Sequence, residues 1–295
     1  LDIFACHDVG DNAKFRGGNG RGFVYDNSLI NTRTTPSSDN SGNYGTVWTD
    51  YDNDGDLDLY LSKCRGGVSN PADPRRINMF FRNDGAAGFT NVASDLGMAF
   101  GAQSWAADFG DIDNDGWIDL LGTNGMMQDR TNSDLSNQSK ALKTTAEKNQ
   151  FWKKAPPKKD ENFIFRNLDG FHFAKVGNEW GFDFLGVSFG TALADFDRDG
   201  DLDLFVVTNR LPAPASLRSQ PFSISRGPNG EPVLPEAFRQ YADVIALPEG
   251  KGFKKIDAGQ YDHLYRNEGP GKPFREVTRE SGMSGNHYGL SATWW

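Results

Sequence analysis

Residues Asp50–Asp58 read D-Y-D-N-D-G-D-L-D, with carboxylates at alternate positions around a glycine. The chain contains this pattern twice more, as D-I-D-N-D-G-W-I-D at Asp111–Asp119 and as D-F-D-R-D-G-D-L-D at Asp195–Asp203. Asp2 and the apolar residues after it match the end of a fourth copy. Self-similarity of this kind indicates that one supersecondary unit is repeated along the chain.

A second motif lies between the acidic stretches. It reads M-F-F-R-N at Met79–Asn83, F-I-F-R-N at Phe163–Asn167 and H-L-Y-R-N at His263–Asn267, and a glycine-containing turn and an aromatic residue follow each copy. Short apolar runs between Gly, Asn and Asp turns are typical of β-hairpins. Each unit then supplies about four strands, which is the signature of a β-propeller blade. We therefore predict an all-β fold, a β-propeller of four-stranded blades with about four blades in this chain.

Two polar segments interrupt the repeat, at residues 126–161 and 210–262. The first predicts a short helix around Leu135–Phe151. The second predicts a short helix near Glu236–Ala242 and a hairpin of Val244–Leu247 with Phe253–Ile256. Because both insertions follow the strand that leaves an acidic stretch, we expect them on one face, where repeat proteins often bind partners. Residues 1–295 are predicted to be a single propeller region within a longer chain.

Alternate carboxylates followed by glycine suit a hard cation bound by oxygen ligands, and several monodentate carboxylates favour Ca²⁺ over Mg²⁺. The sequence predicts about three Ca²⁺ sites. The predicted side-chain ligands are Asp50, Asp52, Asp54 and Asp58; Asp111, Asp113, Asp115 and Asp119; and Asp195, Asp197, Asp199 and Asp203. The predicted backbone carbonyl ligands, one in each stretch, belong to Asp56, Trp117 and Asp201.

An EF-hand is excluded for these stretches. That motif needs a bidentate Glu at loop position twelve and a helix on each side. Position twelve is Leu61, Gly122 or Val206 here, and the flanking sequence is typical of strands. A polar turn without metal explains one such stretch more easily than three with identical spacing.

The acidic stretches and the R-N motifs resemble FG-GAP/VCBS repeats, as in the β-propeller of integrin α subunits. The segments Tyr261–Asn267 and Tyr288–Trp295 are similar to bacterial proteins of the cartilage-acidic-protein type, associated with ASPIC/UnbV regions. This resemblance implies a calcium-stabilised propeller, commonly of seven blades, in a secreted, periplasmic or cell-surface protein. Other chains or further blades of the same propeller would then be partners.

The composition excludes two classes of partner. The formal charge is −9 and the pI about 5.0, whereas nucleic acids and anionic membranes attract clustered Lys and Arg. The chain also lacks an apolar run of the roughly 20 residues that a membrane span needs. Nucleic-acid binding and a membrane span are therefore not predicted.

The remaining candidates give weaker signals. Cys6 and Cys64 each follow an exit strand in neighbouring units, so a disulfide and two unpaired, buried thiols are both open. The G-V-S-F-G at Gly186–Gly190 fits a nucleophile elbow, but the repeat explains its serine, because Ser104 has the same offset from its acidic stretch. We assign no catalytic residue.

Three functions remain open from the sequence. The first is a calcium-stabilised, extracytoplasmic propeller that binds extracellular protein or glycan, as in adhesion. The second is a polysaccharide-active enzyme or its subunit, and the third is a structural component of a surface assembly, since open blade edges need a partner.

Overall fold

The computed structural model describes the whole chain except residues 1, 9, 19, 21, 35–41, 211–212, 240, 249–250, 284–288 and 294–295. The fold is all-β, and its strands form several antiparallel sheets. The first sheet has three strands in chain order: β1 (Ile3–Ala5), β2 (Ala13–Gly17) and β3 (Phe23–Tyr25).

The second sheet has four strands, each paired with the next along the chain. They are β4 (Asn43–Thr49), β5 (Asp58–Lys63), β6 (Met79–Asn83) and β7 (Phe89–Asn91). The first acidic stretch joins β4 to β5, and the M-F-F-R-N motif is β6. A short 3-10 helix, Gly85–Ala87, precedes β7.

The third sheet repeats this order around the first insertion. Its strands are β8 (Ser104–Gly110) and β9 (Asp119–Asn124), then β11 (Phe163–Asn167) and β12 (Phe173–Lys175). The insertion contains α1 (Ser133–Ala141), α2 (Thr145–Lys154) and β10 (Asp160–Glu161), which pairs with β13 (Leu185–Gly186). The predicted single helix is therefore two helices, because Thr144 and Glu147 form a capping box that starts α2.

The fourth sheet has the same order again. Its strands are β14 (Ser188–Ala194) and β15 (Asp203–Thr208), then β20 (His263–Arg266) and β21 (Arg275–Glu276). Between β15 and β20 lie α3 (Ala215–Arg218), β16 (Ser225–Arg226), β17 (Pro232–Val233), a 3-10 helix (Glu236–Phe238), β18 (Ala242–Ala246) and β19 (Phe253–Asp257). Pairing of β18 with β19 confirms the predicted hairpin. The predicted helix near Glu236–Ala242 is wrong, because the described residues there form a 3-10 helix, Glu236–Phe238, and β18 begins at Ala242.

The first strands of neighbouring sheets lie side by side. β8 contacts both β4 and β14. A Cβ on Gly45 in β4 would lie 2.6 Å from the Trp105 carbonyl oxygen in β8, so this approach requires glycine. Residues 289–293 form no strand, but the Leu290 carbonyl oxygen lies close to Gly190 of β14 in a similar way.

The hydrophobic core lies between sheets as well as within them. One cluster joins Tyr51 and Phe80 of the second sheet to Leu120 and Phe163 of the third. Another joins Ile112 of the third sheet to residues of the fourth, and a third cluster joins Phe4 and Ile30 to the second sheet. Burial of apolar side chains between neighbouring sheets therefore holds each sheet against the next one along the chain.

Both cysteines are free thiols in the structure. The Cys6 thiol donates a hydrogen bond to the Tyr44 carbonyl, and the Cys64 thiol donates to Gln103 Oε1 at 3.0 Å. The sequence left a disulfide and two unpaired thiols as alternatives, and the structure has the unpaired thiols. Burial raises the pKa of both thiols above its ordinary value, so they remain protonated at neutral pH.

Candidate metal centres

Each acidic stretch is the loop between the first and second strands of a four-stranded sheet. We name residues 50–58 the first acidic loop, 111–119 the second and 195–203 the third. Because the three sheets have the same strand order, all three loops emerge at the same end of their sheets. Position 9 of each loop is the first residue of the strand that follows it.

The loops turn sharply through two residues in the left-handed region. Position 4 has positive φ in all three loops: 57° at Asn53, 58° at Asn114 and 66° at Arg198. The glycines at position 6 also have positive φ, between 92° and 98°. Asn tolerates this conformation better than most residues, whereas Arg does not. The positive φ angles of the turn therefore explain the glycine at position 6 in all three loops and the asparagine at position 4 in two of them.

The aspartate at position 1 closes each turn. In the first loop the two Asp50 carboxylate oxygens accept hydrogen bonds from the amides of Asp54 and Gly55, both at 3.1 Å. Asp111 accepts the equivalent pair of bonds in the second loop and Asp195 in the third, over 2.9–3.1 Å. The carboxylate thus bends the chain back upon itself without another element.

The aspartate at position 9 ties each loop to its sheet. Asp58 accepts from the Tyr51 amide at 3.2 Å and from the Asn83 amide at 2.8 Å. The same two bonds recur at Asp119 and Asp203. Asp2 accepts from the Gly17 amide at 2.8 Å, which is one half of this arrangement and agrees with its predicted place as position 9 of another copy.

Burial of the position 9 carboxylates disfavours their charged form. It raises the pKa of Asp58 and Asp119 to about 7, and that of Asp203 to about 6. The charges of other aspartates in each loop act in the same direction. A cation at the centre of each loop would reverse this effect, because it favours the ionised carboxylates.

Three carboxylates converge in each loop, with ligand atoms within 4.8 Å of one another. The groups are Asp50, Asp52 and Asp58; Asp111, Asp113 and Asp115; and Asp195, Asp197 and Asp199. Every member is a predicted ligand. The remaining predicted side-chain ligands, Asp54, Asp119 and Asp203, lie in the same loops outside these groups, and the carbonyl ligands at position 7 stay predictions.

One buried carboxylate oxygen without a hydrogen-bond partner in each of the first and second loops fits a cation. Within the described residues, Asp52 Oδ1 and Asp113 Oδ1 are buried and accept no hydrogen bond. Burial and the neighbouring aspartates raise the pKa of both groups. A buried carboxylate oxygen is costly without a partner, and a hard cation among oxygen ligands would supply one. Each of the three clusters could hold a metal ion.

The arginine of the R-N motif distinguishes the second loop from the others. Arg166 Nε lies 2.6 Å from Asp113 Oδ2, and its Nη2 lies 2.8 Å from Asp115 Oδ2. Arg82 instead pairs with Asp84 outside the first loop. Arg266 pairs with Glu268 and is 3.9 Å from Asp197. The second loop therefore already contains a positive charge.

The asparagine of the R-N motif was not predicted to act at the site. Asn167 Nδ2 in β11 donates to the Ile118 carbonyl in its own loop and, at 2.8 Å, to the Tyr51 carbonyl in the preceding loop. Asn267 bonds to Leu202 and Ile112 in the same way. Three copies of Arg-Asn at one place in the repeat were the signal for this role.

Two comparisons with known proteins bear on the acidic loops. A scan against protein-family models gives no match for this chain, and a search of curated proteins gives no significant match. Within the described part of the chain, no helix is long and apolar enough to cross a membrane. The interpretation of function therefore rests on the geometry of the loops and sheets.

Proposed function

We propose that this protein is a calcium-stabilised β-propeller that binds extracellular protein or glycan, as adhesion modules do. The observation that carries the proposal is the recurrence of one hydrogen-bond network in three acidic loops at the same end of three sheets. A polar turn requires neither converging carboxylates nor buried oxygens without partners.

Calcium is the cation that this donor set favours. The clusters offer several carboxylate oxygens from alternate residues of a tight turn, which suits the larger and more adaptable coordination shell of Ca²⁺. Asp52 and Asp113 would hold the ion through the oxygens that accept no hydrogen bond within the described residues. Three such ions would offset six of the nine excess negative charges. Stabilisation of the loops is the chemistry that the metal would supply.

A propeller is the arrangement that the sheets support best. Three sheets repeat one strand order, and their first strands lie side by side, as the inner strands of blades do. The three described strands of the first sheet correspond to the second, third and fourth strands of this order. The ligand surface would be the end opposite the acidic loops, where both insertions leave their sheets.

An extracytoplasmic location follows from the calcium assignment. Sites of this kind suit a calcium-rich compartment, and their affinity there need only be modest. The partner class is therefore an extracellular protein or glycan in a secreted, periplasmic or cell-surface setting. Loss of the metal would loosen the loops and, through the Asn167 bridge, the contact between sheets.

Thermal unfolding in Ca²⁺ and in excess EGTA tests the proposal. We expect Ca²⁺ to raise the melting temperature by at least 10 °C, because ligands that bind only the folded state stabilise it by mass action. Mg²⁺ at the same concentration should raise it less. An unchanged melting curve in EGTA would falsify the metal assignment.

A further inference from the structure

The second and third sheets bury both of their faces against neighbouring sheets. We name the face toward the preceding sheet the trailing face, and the face toward the next sheet the leading face. Leu59 and Phe81 lie on the trailing face of the second sheet and cluster with Phe4 of the first sheet. Tyr60 and Phe80 lie on its leading face and belong to the cluster shared with the third sheet, because successive side chains of a strand point to opposite faces. Each interface between sheets thus joins a leading face to a trailing face.

The first sheet has the same alternation, but its trailing face is exposed. Ile3 of β1, Phe15 of β2 and Tyr25 of β3 are paired across the strands, so their side chains share that face. Ile3 is 41% exposed and Tyr25 57%, and Phe23, two residues from Tyr25 on the same face, is 49% exposed. The residues at the repeat position of Ile3 in the other sheets are 0% exposed: Leu59, Leu120 and Leu204. A contiguous exposed apolar face of this kind marks an interaction surface.

The leading face of the fourth sheet is open in a complementary way. Phe205 of β15 points to this face, as does Met283 after β21, and both are partly exposed. The side chains at the same repeat positions in the second and third sheets are fully buried: Tyr60 and Leu121 for Phe205, and Met98 and Phe182 for Met283. The described chain therefore has a trailing face without a sheet on it and a leading face without a sheet on it, one at each end of the series.

Residues 289–293 lie against β14 as β8 lies against β4. A Cβ on Gly190 would lie 2.8 Å from the Leu290 carbonyl oxygen, and a Cβ on Gly45 would lie 2.6 Å from the Trp105 carbonyl oxygen. The segment therefore occupies the place of a first strand beside the fourth sheet. The first sheet, whose described strands correspond to the second to fourth strands of the order, is the kind of sheet that such a strand would complete. Within one copy the two parts do not meet, since Ile3 and Leu290 both remain exposed.

We propose that the trailing face of the first sheet binds a second copy of this protein, at the leading face of its fourth sheet. Residues 289–293 of one copy would lie beside β1 of the other and complete the four-strand order. The contact continues the interface that joins sheets within the chain, and burial of apolar side chains would drive it. Because the two faces are different, the assembly is heterologous, head to tail. This inference goes beyond the proposed function and does not depend on the metal.

Sedimentation equilibrium of the full chain in Ca²⁺ tests the association. We expect the measured mass to rise with concentration to at least twice that of a single chain. Ile3→Asp and Phe23→Asp should each raise the Kd at least tenfold, because each places a charge in the apolar contact. Both side chains are exposed in the single copy, so the fold should be unchanged by circular dichroism. Val24→Asp is the matched control: Val24 is an exposed residue of β3 on the opposite face, and its loss should leave the Kd unchanged.

A disulfide between copies tests the head-to-tail arrangement. Thr46 of β4 pairs with Leu61 of β5, and Ala292 and Ala5 occupy these two repeat positions in the proposed contact. A chain with Ala292→Cys mixed with a chain with Ala5→Cys should therefore form a mixed disulfide between residues 292 and 5, identified by mass spectrometry.

Four results would overturn the inference: a monomer at all concentrations, association without the mixed disulfide, unchanged association in both Ile3→Asp and Phe23→Asp, or equal weakening by Val24→Asp. The proposed function fails separately, when Ca²⁺ does not shift the melting curve.

Discussion

The first and second acidic loops share their internal hydrogen bonds with the third loop but differ in what covers them. At position 2, Tyr51 and Ile112 are each 1% exposed, because the next sheet packs against them. Phe196 occupies the same position in the third loop and stays partly exposed. The turn is therefore a local property of the sequence, whereas burial of the loop depends on a neighbouring sheet.

Contacts between loops show the same difference. The Asn53 side-chain Nδ2 donates to the Gly116 carbonyl in the second loop, and the Asn114 side-chain Nδ2 donates to Asp201 Oδ1 in the third. The third loop has Arg198 at this position. Asp58 and Asp203 are both fully buried, and burial raises their pKa values to about 7 and about 6. The first and second acidic loops therefore connect to the next sheet as well as being candidate metal centres.

The largest expected difference comes from removing the position 2 side chain. Tyr51→Ala should destabilise the protein by about 3–5 kcal/mol, because it leaves a cavity between two sheets. Phe196→Ala should cost about 1 kcal/mol or less, since its side chain is partly in water. Urea unfolding in saturating Ca²⁺ measures both. Equal losses for the two variants would contradict the role assigned to the neighbouring sheet.

The next largest effect concerns the asparagine bridge. Asn167→Ala should cost about 2–3 kcal/mol, because it leaves the Tyr51 and Ile118 carbonyls without this donor. Asn83 is the matched control: its Oδ1 accepts from the Gly85 backbone amide, as that of Asn167 does from Gly170, but its Nδ2 donates to the Leu57 carbonyl at 3.3 Å and, among the described residues, to no carbonyl of a neighbouring loop. Asn83→Ala should cost less than about 1 kcal/mol by the same urea assay. A reversed order would show that the bridge does not couple the sheets.

A smaller effect separates the second loop from the first. Arg166→Gln should strengthen Ca²⁺ binding at the second loop about fivefold, or about 1 kcal/mol. The reason is that the positively charged arginine side chain no longer competes with Ca²⁺ for Asp113 and Asp115. Arg82→Gln should leave Ca²⁺ affinity unchanged, since Arg82 pairs with Asp84. Calcium calorimetry compares the two. Weaker binding in Arg166→Gln would mean that the arginine supports the site.

The smallest effect tests the turn itself. Arg198→Asn should stabilise the protein by about 0.5 kcal/mol, because Asn tolerates the φ of 66° better than Arg. The reverse change, Asn114→Arg, should destabilise it by more, since it also removes the bond to Asp201. Melting temperatures measured in saturating Ca²⁺ would reveal both changes. Destabilisation by Arg198→Asn would show that Arg198 has a role beyond the turn.

The local features could be predicted because they repeat. Alternating aspartates and a glycine at a fixed place locate the turn, and the apolar runs beside them locate β5, β9 and β15. The hairpin of β18 and β19 follows from its β-branched and apolar residues. Converging carboxylates at Asp50, Asp111 and Asp195 were predictable for the same reason, since a tight turn brings alternate side chains together.

What could not be predicted depends on contacts distant in sequence. The Asn167 bond to the Tyr51 carbonyl spans 116 residues, so no local pattern states it. The position of Arg166 against Asp113 depends on how β11 and the second loop meet. The first insertion was expected to hold one helix, because its weak apolar pattern did not show the break before Thr144. Each of these features depends on how distant segments pack together, which the local sequence pattern does not specify.

A calcium titration by calorimetry tests the central claim most directly. The chelator-treated chain should bind three Ca²⁺ ions. Asp52→Asn and Asp113→Asn should each reduce the number to two, because each loop closes its own turn and holds its own cluster. Absence of binding to the wild-type chain, or unchanged stoichiometry in both variants, would contradict the assignment of the acidic loops as metal centres.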